Sequence, residues 1–234
     1  MWKRSDYMKI GVIGGLGPLA TVKFMEMINN KLINIDKEIE LVVINDPTTP
    51  DRTSYILDNT KENPINSILD MVKKLENFNV DLLVMPCNTA SYFYKEIITN
   101  TNILFINIVE ETVKFLKNNN IHKVGLLATE GTIKSGIYKE LLDNYNIELI
   151  IPKDEEQKII SSIIYDGIKR NKKIDLSDFN KVINHLKELG SEKIILGCTE
   201  LSALKEIYQI NNNNLIDAME ILSDSTLKHI KNTD

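Results

Sequence analysis

Short runs of Val, Ile and Leu alternate along this chain with longer segments in which apolar positions recur with the period of an α-helix. Continuous apolar runs are typical of strands buried on both faces of a parallel sheet, and amphipathic segments are typical of the helices that cover it. The pattern predicts strands at residues 9–13, 40–45, 81–85, 104–108, 123–128, 148–151 and 193–196. The sequence therefore predicts an α/β fold with parallel sheets.

The segments between these strands predict helices at residues 18–32, 65–78, 110–118, 155–171, 178–189 and 216–230, and another helix that ends near Tyr145. Pro18 suits the first turn of its helix, where its missing N–H group would have no partner inside the helix. Two polar loops are also predicted, a long one at residues 46–63 with a short helix near 54–58, and another at 129–135. A loop as long as the first is often functional.

The two halves of the chain repeat one pattern. The segment KIGVI at residues 9–13 aligns with KVGLL at 123–127, and DLLVMPCNT at 81–89 aligns with EKIILGCTE at 192–200. Gly11 and Cys87 are 76 positions apart, and Gly125 and Cys198 are 73 positions apart. Each cysteine therefore ends the equivalent strand of its own half. Two repeated α/β halves usually face each other across a ligand, so we expect both thiols in one site.

Composition narrows the class of protein. The chain has 234 residues, 43% of them hydrophobic and 26% charged, which is typical of globular domains. Its formal net charge of -5 and the absence of a long basic run disfavour nucleic-acid binding, and an anionic substrate would need local cations. No apolar run reaches the length of roughly 20 residues that spans a bilayer. The 2 widely spaced cysteines are unlike a secreted disulfide framework, so we expect a cytoplasmic protein.

Cys87 and Cys198 both follow predicted strands, at the sheet edge where open α/β sheets bind ligands. Each also precedes a predicted helix, whose N-terminus favours thiolate over thiol, so we expect a lowered pKa at both. The same helix amides, together with Asn88, Thr89 and Thr199, could bind a substrate carboxylate. A single free cysteine is more often a small buried hydrophobic residue, but two cysteines at equivalent positions of a repeat favour a role in catalysis.

Several uses of paired cysteines fit less well. A zinc site needs three or four ligands, and His122, His185 and His229 lie away from the cysteine segments. A thiol hydrolase needs a histidine base beside its nucleophile, and a redox pair would favour a CxxC motif, which is absent. Two thiols on opposite faces of a carbon suit inversion of a stereocentre, since one removes a proton and the other returns one. Nearby donors would stabilise the charge that develops on a carboxylate.

The segments MPCNTA at residues 85–90 and LGCTEL at 196–201 resemble the two active-site motifs of the aspartate/glutamate racemase family, closest to its aspartate racemase branch. Residues 13–21, 51–53 and 131–132 resemble that branch as well. The resemblance implies two pseudo-symmetric parallel-sheet α/β domains with the active site between them. It also implies a homodimer, and no pyridoxal phosphate or metal. The C-terminal helix would pack back on the first domain, giving residues 8–113 plus 214–234 and residues 114–213.

The resemblance also assigns roles. It implies that Cys87 and Cys198 are the catalytic thiols of a cofactor-independent racemase acting on a small acidic amino acid, most directly aspartate. It places Asn88, Thr89 and Thr199 around the α-carboxylate. It places Arg52 at the side-chain carboxylate, which a guanidinium can bind through two donors, and Lys169 beside it. From the repeat, Thr129 lines the pocket or only caps a helix.

Two positions depart from the family pattern. Ser91 stands where the first motif often has histidine, and Glu200 stands where glutamate-specific relatives carry histidine, which disfavours a cell-wall glutamate racemase. Other functions stay open: a broad-specificity or glutamate-directed racemase, a dicarboxylate isomerase of the same superfamily, and a non-catalytic binding protein. The loop Gly15-x-Gly17-x-x-Ala20, with Asp46 after the second strand, also fits a loose dinucleotide-binding fingerprint.

Overall fold

The computed structural model describes residues 7–33 and 38–231. The strands in these ranges are β1 (Tyr7–Gly14), β2 (Glu38–Asn45), β3 (Leu82–Val84), β4 (Leu104–Ile106), β5 (Lys123–Leu127), β6 (Glu148–Ile150), β7 (Lys193–Leu196) and β8 (Leu215–Asp217). The helices of the first half are α1 (Pro18–Leu32), α2 (Arg52–Leu57), α3 (Ile65–Asn77), α4 (Tyr94–Thr99) and α5 (Ile108–Asn118). Those that follow are α6 (Glu130–Ser135), α7 (Ile137–Asp143), α8 (Asp154–Ser162), α9 (Leu176–Glu188), α10 (Thr199–Ile207) and α11 (Ala218–Lys231).

The strands form two parallel sheets of four, with the orders β2-β1-β3-β4 and β6-β5-β7-β8. The two orders are the same when each half is numbered from its own first strand, which confirms the α/β fold and its pseudo-symmetry. Gly11 pairs with Leu83 in the first sheet, and Gly125 pairs with Ile194 in the second. Cys87 and Cys198 each lie four residues beyond those pairs. The repeat therefore brings both cysteines to the carboxyl edge of the sheets.

Apolar side chains fill the space on both faces of each sheet. The central strands are almost completely buried, as the continuous Val and Ile runs predict. One apolar cluster runs through both halves and includes Phe24, Val84, Leu126 and Met219. Each half also has one further cluster under its outer helices. Burial of a side chain such as Phe24 contributes about 1.5–3 kcal/mol, so this shared core stabilises the packing of the two halves against each other.

The C-terminal segment divides between the halves. Helix α11 packs against α1 and α5 of the first half. Strand β8 precedes it and pairs with β7, through Ile194 with Leu215 and Leu196 with Asp217. The three residues of β8 fall inside the range 214–234 that the sequence assigned to the first domain. Their pairing with β7 instead places them in the second sheet. We propose the two-domain division with that change.

Three predicted elements differ in the structure. The predicted loop at 129–135 is wrong, because α6 occupies it and the Thr129 side chain caps that helix by accepting from Thr132 N at 3.1 Å. The last helix begins at Ala218 rather than 216, since β8 comes first. The helix predicted at 155–171 continues past α8 as a π-helix (Ile163–Ile168), where Gly167 packs tightly on Ile174.

In the two described ranges, no helix is long and apolar enough to cross a membrane.

Candidate active site

A narrow pocket lies between the two halves at the carboxyl ends of their strands. The first half contributes Leu16, Asp51, Arg52, Thr53, Cys87, Asn88 and Thr89, and the second contributes Thr129, Tyr165, Lys169, Cys198, Thr199 and Glu200. All eight residues singled out from the sequence line it. The structure therefore brings together every predicted site residue and adds Leu16, Asp51, Thr53, Tyr165 and Glu200 to them.

The two thiols reach the pocket by equivalent routes. Cys87 follows β3 and precedes a 3₁₀ helix (Thr89–Phe93), while Cys198 follows β7 and is the N-cap residue of α10. Both side chains are buried, at 8% and 5% exposure, and both are free cysteines. Each thiol therefore faces the pocket from its own half.

The expectation of a lowered pKa at both cysteines is wrong. Burial raises the pKa of the Cys87 thiol, although the positive charge of Arg52, the nearby amide of Ala90 and the charge of Lys169 act in the opposite direction. Burial raises the pKa of Cys198 further, and the adjacent carboxylate of Glu200 adds to that shift. Loss of hydration therefore outweighs the helix N-termini, and burial favours the thiol form of both groups.

Glu200 lies in the first turn of α10, and its carboxylate contacts the second thiol. Cys198 Sγ donates a hydrogen bond to Glu200 Oε2 at 2.9 Å, and the Glu200 side chain is buried. The sequence pointed to this residue only as a departure from the family pattern. The sequence shows that Glu200 stands two residues after Cys198. It does not show that the two side chains meet, because the first turn of α10 brings them together.

Arg52 is held by backbone carbonyls at the start of α2. Its Nη1 donates to Thr49 O at 3.1 Å and to Pro50 O at 2.9 Å, and its Nη2 donates to Leu16 O. Its Nε has no partner among the described residues. A guanidinium has five N–H donors, so Nε and one Nη2 hydrogen stay available to a ligand. The buried Arg52 thus holds three backbone carbonyls and still has N–H donors that a ligand could accept from.

Asn88 presents its amide to the pocket in one orientation. Burial raises the pKa of Tyr138, so its hydroxyl keeps its proton and donates to Asn88 Oδ1 at 2.7 Å. Asn88 Nδ2 is buried and lacks a partner in the described part of the chain. An unpaired buried donor is costly unless a ligand accepts from it. Tyr138 was missed by sequence reasoning, because nothing local in the chain links it to Asn88.

A cluster of three threonines joins the halves beneath the pocket. Thr89 Oγ1 lies 3.0 Å from Thr129 Oγ1 and 2.9 Å from Thr132 Oγ1, which are themselves 3.0 Å apart. Thr129 therefore does both things the sequence suggested, since it lines the pocket and caps α6. Close by, Gly131 packs on Thr53, where an added Cβ would lie 2.8 Å from Thr53 Cα.

The second cation follows the π-helix. Lys169 Nζ lies 4.1 Å from the ring centroid of Tyr165, which is a cation–π contact. Burial raises the pKa of Tyr165, so its hydroxyl stays neutral. Tyr165 was not predicted, although its spacing of four from Lys169 on a predicted helix could have indicated a shared face.

The glycine loop after β1 does not form a phosphate cradle. Gly15 has φ of +85°, and a Cβ there would lie 2.3 Å from the backbone of Asp46. Beside Gly17 the space is taken by the Glu200 carboxylate, which would repel a phosphate. The Asp46 carboxylate accepts from Thr48 N at 2.9 Å and from Thr48 Oγ1 at 2.6 Å. These contacts disfavour the dinucleotide alternative.

Across residues 7–33 and 38–231 there is also no group of three or more His, Cys, Asp or Glu arranged to hold a metal ion.

Comparison with known proteins identifies the family. The family model described as Asp/Glu/Hydantoin racemase matches residues 13–226. The solved structure of Picrophilus torridus aspartate racemase is 33% identical, with a TM-score of 0.83, over 96% of this chain and 94% of that one. The broad specificity amino-acid racemase RacX of Bacillus subtilis is 28% identical over 93% of this chain and 96% of its own. The glutamate racemase of Aquifex pyrophilus is 28% identical over 96% of this chain and 84% of its own.

Proposed function

The chain belongs to the Asp/Glu/Hydantoin racemase family and is an amino-acid racemase, and from this premise we propose that it interconverts L- and D-aspartate without a cofactor. The observation that carries the proposal is the placement of Cys87 and Cys198. They come from equivalent positions of two repeated halves and line one pocket between them. A pair of thiols on two sides of a bound α-carbon suits removal and return of a proton on opposite faces.

In the proposed reaction one cysteine, as thiolate, takes the α-proton and becomes a thiol. The electron pair of the broken C–H bond delocalises into the α-carboxylate, and the other thiol then protonates the carbon from the opposite face. The second cysteine is left as thiolate, so the reverse reaction starts from that state. Asn88 Nδ2, the hydroxyls of Thr89 and Thr199 and the first amides of α10 are the donors for the α-carboxylate.

The raised pKa values fit a difficult proton abstraction. A thiolate whose protonated form is favoured by burial is a stronger base once it is formed. Arg52 and Lys169 lower the pKa of Cys87, and Lys169 lowers that of Cys198. The two cations therefore make the thiolates accessible in a pocket that otherwise disfavours charge.

Support for aspartate comes from these same cations. Arg52 offers Nε and one Nη2 hydrogen to a carboxylate, and Lys169 lines the same pocket. A substrate side chain with its own carboxylate would use both. The named relatives include enzymes for aspartate, for glutamate and of broad specificity, so a wider range or glutamate is the alternative. As in the sequence-based expectation, we also propose a cytoplasmic homodimer.

The test is proton NMR of the purified protein with L-aspartate in deuterated water, with EDTA and without added cofactor. We expect loss of the α-proton signal and formation of D-aspartate on chiral chromatography. Cys87→Ser and Cys198→Ser should each abolish racemisation, and each should still exchange the α-proton of one enantiomer only. The Cys87→Ser/Cys198→Ser double variant supplies the baseline.

Other results would contradict the proposal. Exchange of both enantiomers by a single-cysteine variant would contradict the two-face mechanism, and unchanged activity in either variant would contradict any thiol role. If aspartate is not exchanged, the same assay with glutamate, neutral amino acids and dicarboxylates identifies the substrate. Failure of all of them would favour a non-catalytic binding protein.

A further inference from the structure

The pocket contains a buried carboxylate that has no ion-pair partner among the described residues. Glu200 is 5% exposed, and its Oε2 accepts from the uncharged Cys198 thiol at 2.9 Å. Its Oε1 lies 2.4 Å from where a Cβ on Gly17 would be, so the glycine leaves room for it. Within the described ranges no lysine, arginine or histidine forms an ion pair with it.

The other charged groups of the pocket have contacts of their own, and none of these is an ion pair with Glu200. Arg52 spends three donors on backbone carbonyls, and Lys169 stacks on Tyr165. The Asp51 carboxylate caps α2 by accepting from Ser54 N at 2.8 Å. An ionised group that is buried without an opposite charge is costly, and a bound cation would relieve that cost. The arrangement therefore points to a positively charged group on the ligand next to Glu200.

The chemistry of the reaction limits where that group lies. A carbon that exchanges its proton with Cys198 must approach the sulfur to about 3–3.5 Å. The other substituents of the same carbon are one bond away from it. Glu200 Oε2 lies 2.9 Å from that sulfur, so a substituent on the side of the reacting carbon that faces the carboxylate can come within hydrogen-bonding distance of it. An α-carboxylate there would be repelled, whereas an α-ammonium would be attracted.

We propose that Glu200 binds the α-ammonium group of the substrate and thereby restricts the pocket to amino acids, against dicarboxylates of the same length. The inference rests on the proposed racemase function and adds to it the residue that selects the substrate class. A carboxylate beside the ammonium also favours its protonated form. The protonated group withdraws electrons from the α-carbon while its proton leaves.

Calorimetric titration of the wild type and Glu200→Gln with L-aspartate and with succinate tests this inference. Succinate is aspartate without its ammonium group. One charge-assisted hydrogen bond to a buried group corresponds to roughly 10- to 100-fold in affinity. We expect Glu200→Gln to raise the Kd for L-aspartate by about that factor and to leave succinate unchanged or bound more tightly.

Two further variants separate this role from others. Glu206→Gln removes the same charge from the same helix at an exposed ion pair with Lys23, and it should leave both affinities unchanged. Gly17→Ala keeps the charge but displaces the carboxylate, so it should weaken L-aspartate selectively and by less than Glu200→Gln. Thermal melting of each variant establishes that it is folded, and Gly17→Ala serves in place of a Glu200→Gln protein that does not fold.

The outcomes distinguish the inference from the function on which it rests. A wild type that racemises aspartate, with an unchanged ratio of aspartate to succinate affinity in Glu200→Gln, refutes the ammonium contact and leaves the racemase intact. A fall in kcat alone would mean that Glu200 only orients the Cys198 thiol. A wild type that binds succinate as tightly as L-aspartate refutes the inference whatever it catalyses. Lack of exchange with every amino acid refutes the proposed function.

Discussion

Replacement of Arg52 by methionine separates its two roles, because the side chain both holds the pocket wall and offers donors to a ligand. Methionine keeps a similar length of apolar chain and removes the charge. In the structure the guanidinium is buried and donates to the carbonyls of Leu16, Thr49 and Pro50. Nε and one Nη2 hydrogen are left for the substrate side-chain carboxylate.

The expected loss follows from these contacts. Two hydrogen bonds to a charged group contribute about 1.5–3 kcal/mol each, which gives roughly 10²- to 10⁴-fold in kcat/KM for aspartate. Each of the three carbonyls that stays buried without a donor should cost about 1–3 kcal/mol in the free energy of unfolding. Arg52 also lowers the pKa of Cys87, so its removal should raise that pKa and reduce the rate of racemisation of every substrate to some extent.

A competition experiment isolates the part that concerns recognition. L-Aspartate and L-asparagine are mixed in deuterated water, and the relative loss of their α-proton signals gives the ratio of their kcat/KM values. The wild type should prefer aspartate, and Arg52→Met should lose most of that preference. Arg52→Lys keeps the charge without the planar fork and should lie between them. Arg170→Met is the matched control, since Arg170 is exposed and pairs only with Asp166 in the described structure.

One result would refute the reasoning. If Arg52→Met lowers kcat/KM for aspartate and for asparagine by the same factor, Arg52 acts through Cys87 or through the pocket wall and not on the substrate side chain. Thermal melting of the same proteins shows whether the structural contacts carry the expected stability.

Two further predictions concern the pocket wall and the thiols. Tyr138→Phe removes the donor to Asn88 Oδ1, so we expect a loss of about 1 kcal/mol in unfolding free energy and a roughly 10-fold rise in KM, with Tyr145→Phe as the exposed control; an unchanged KM would show that Asn88 is oriented by other contacts. Burial raises the pKa of both thiols above the ordinary value of 9.0, so their contribution to stability is present below that pH and is lost as pH rises through the raised values. The melting temperature should therefore fall at alkaline pH, and the fall should be smaller in Cys87→Ser/Cys198→Ser; equal slopes would refute a thiol contribution.

Much of this protein could be read from the chain alone. Continuous apolar runs mark strands that are covered on both faces, and this signal is local. Seven of the eight strands within the described ranges were therefore predicted near their observed positions. The repeat put Cys87 and Cys198 in the same register, and a shared register leads to equivalent positions in two similar sheets. The fold, the two halves and the meeting of the two thiols follow from that, whereas Arg52 and Lys169 were placed in the pocket only by the family resemblance.

Other properties depend on contacts between distant segments, and only the tertiary structure decided them. Strand β8 runs directly into α11, so its apolar residues read as the start of the last helix, and it is a strand because β7 offers an edge to pair with. The pKa of each thiol rises because the folded chain removes water from it, which outweighs the local helix terminus. The donors of Arg52 and the orientation of Asn88 are set by Leu16 and Tyr138 across the fold. Local patterns and the family resemblance therefore indicated which residues lie in the pocket. Burial and long-range partners instead set the direction in which the pKa of each thiol shifts and the donors that Arg52 and Asn88 have left to offer.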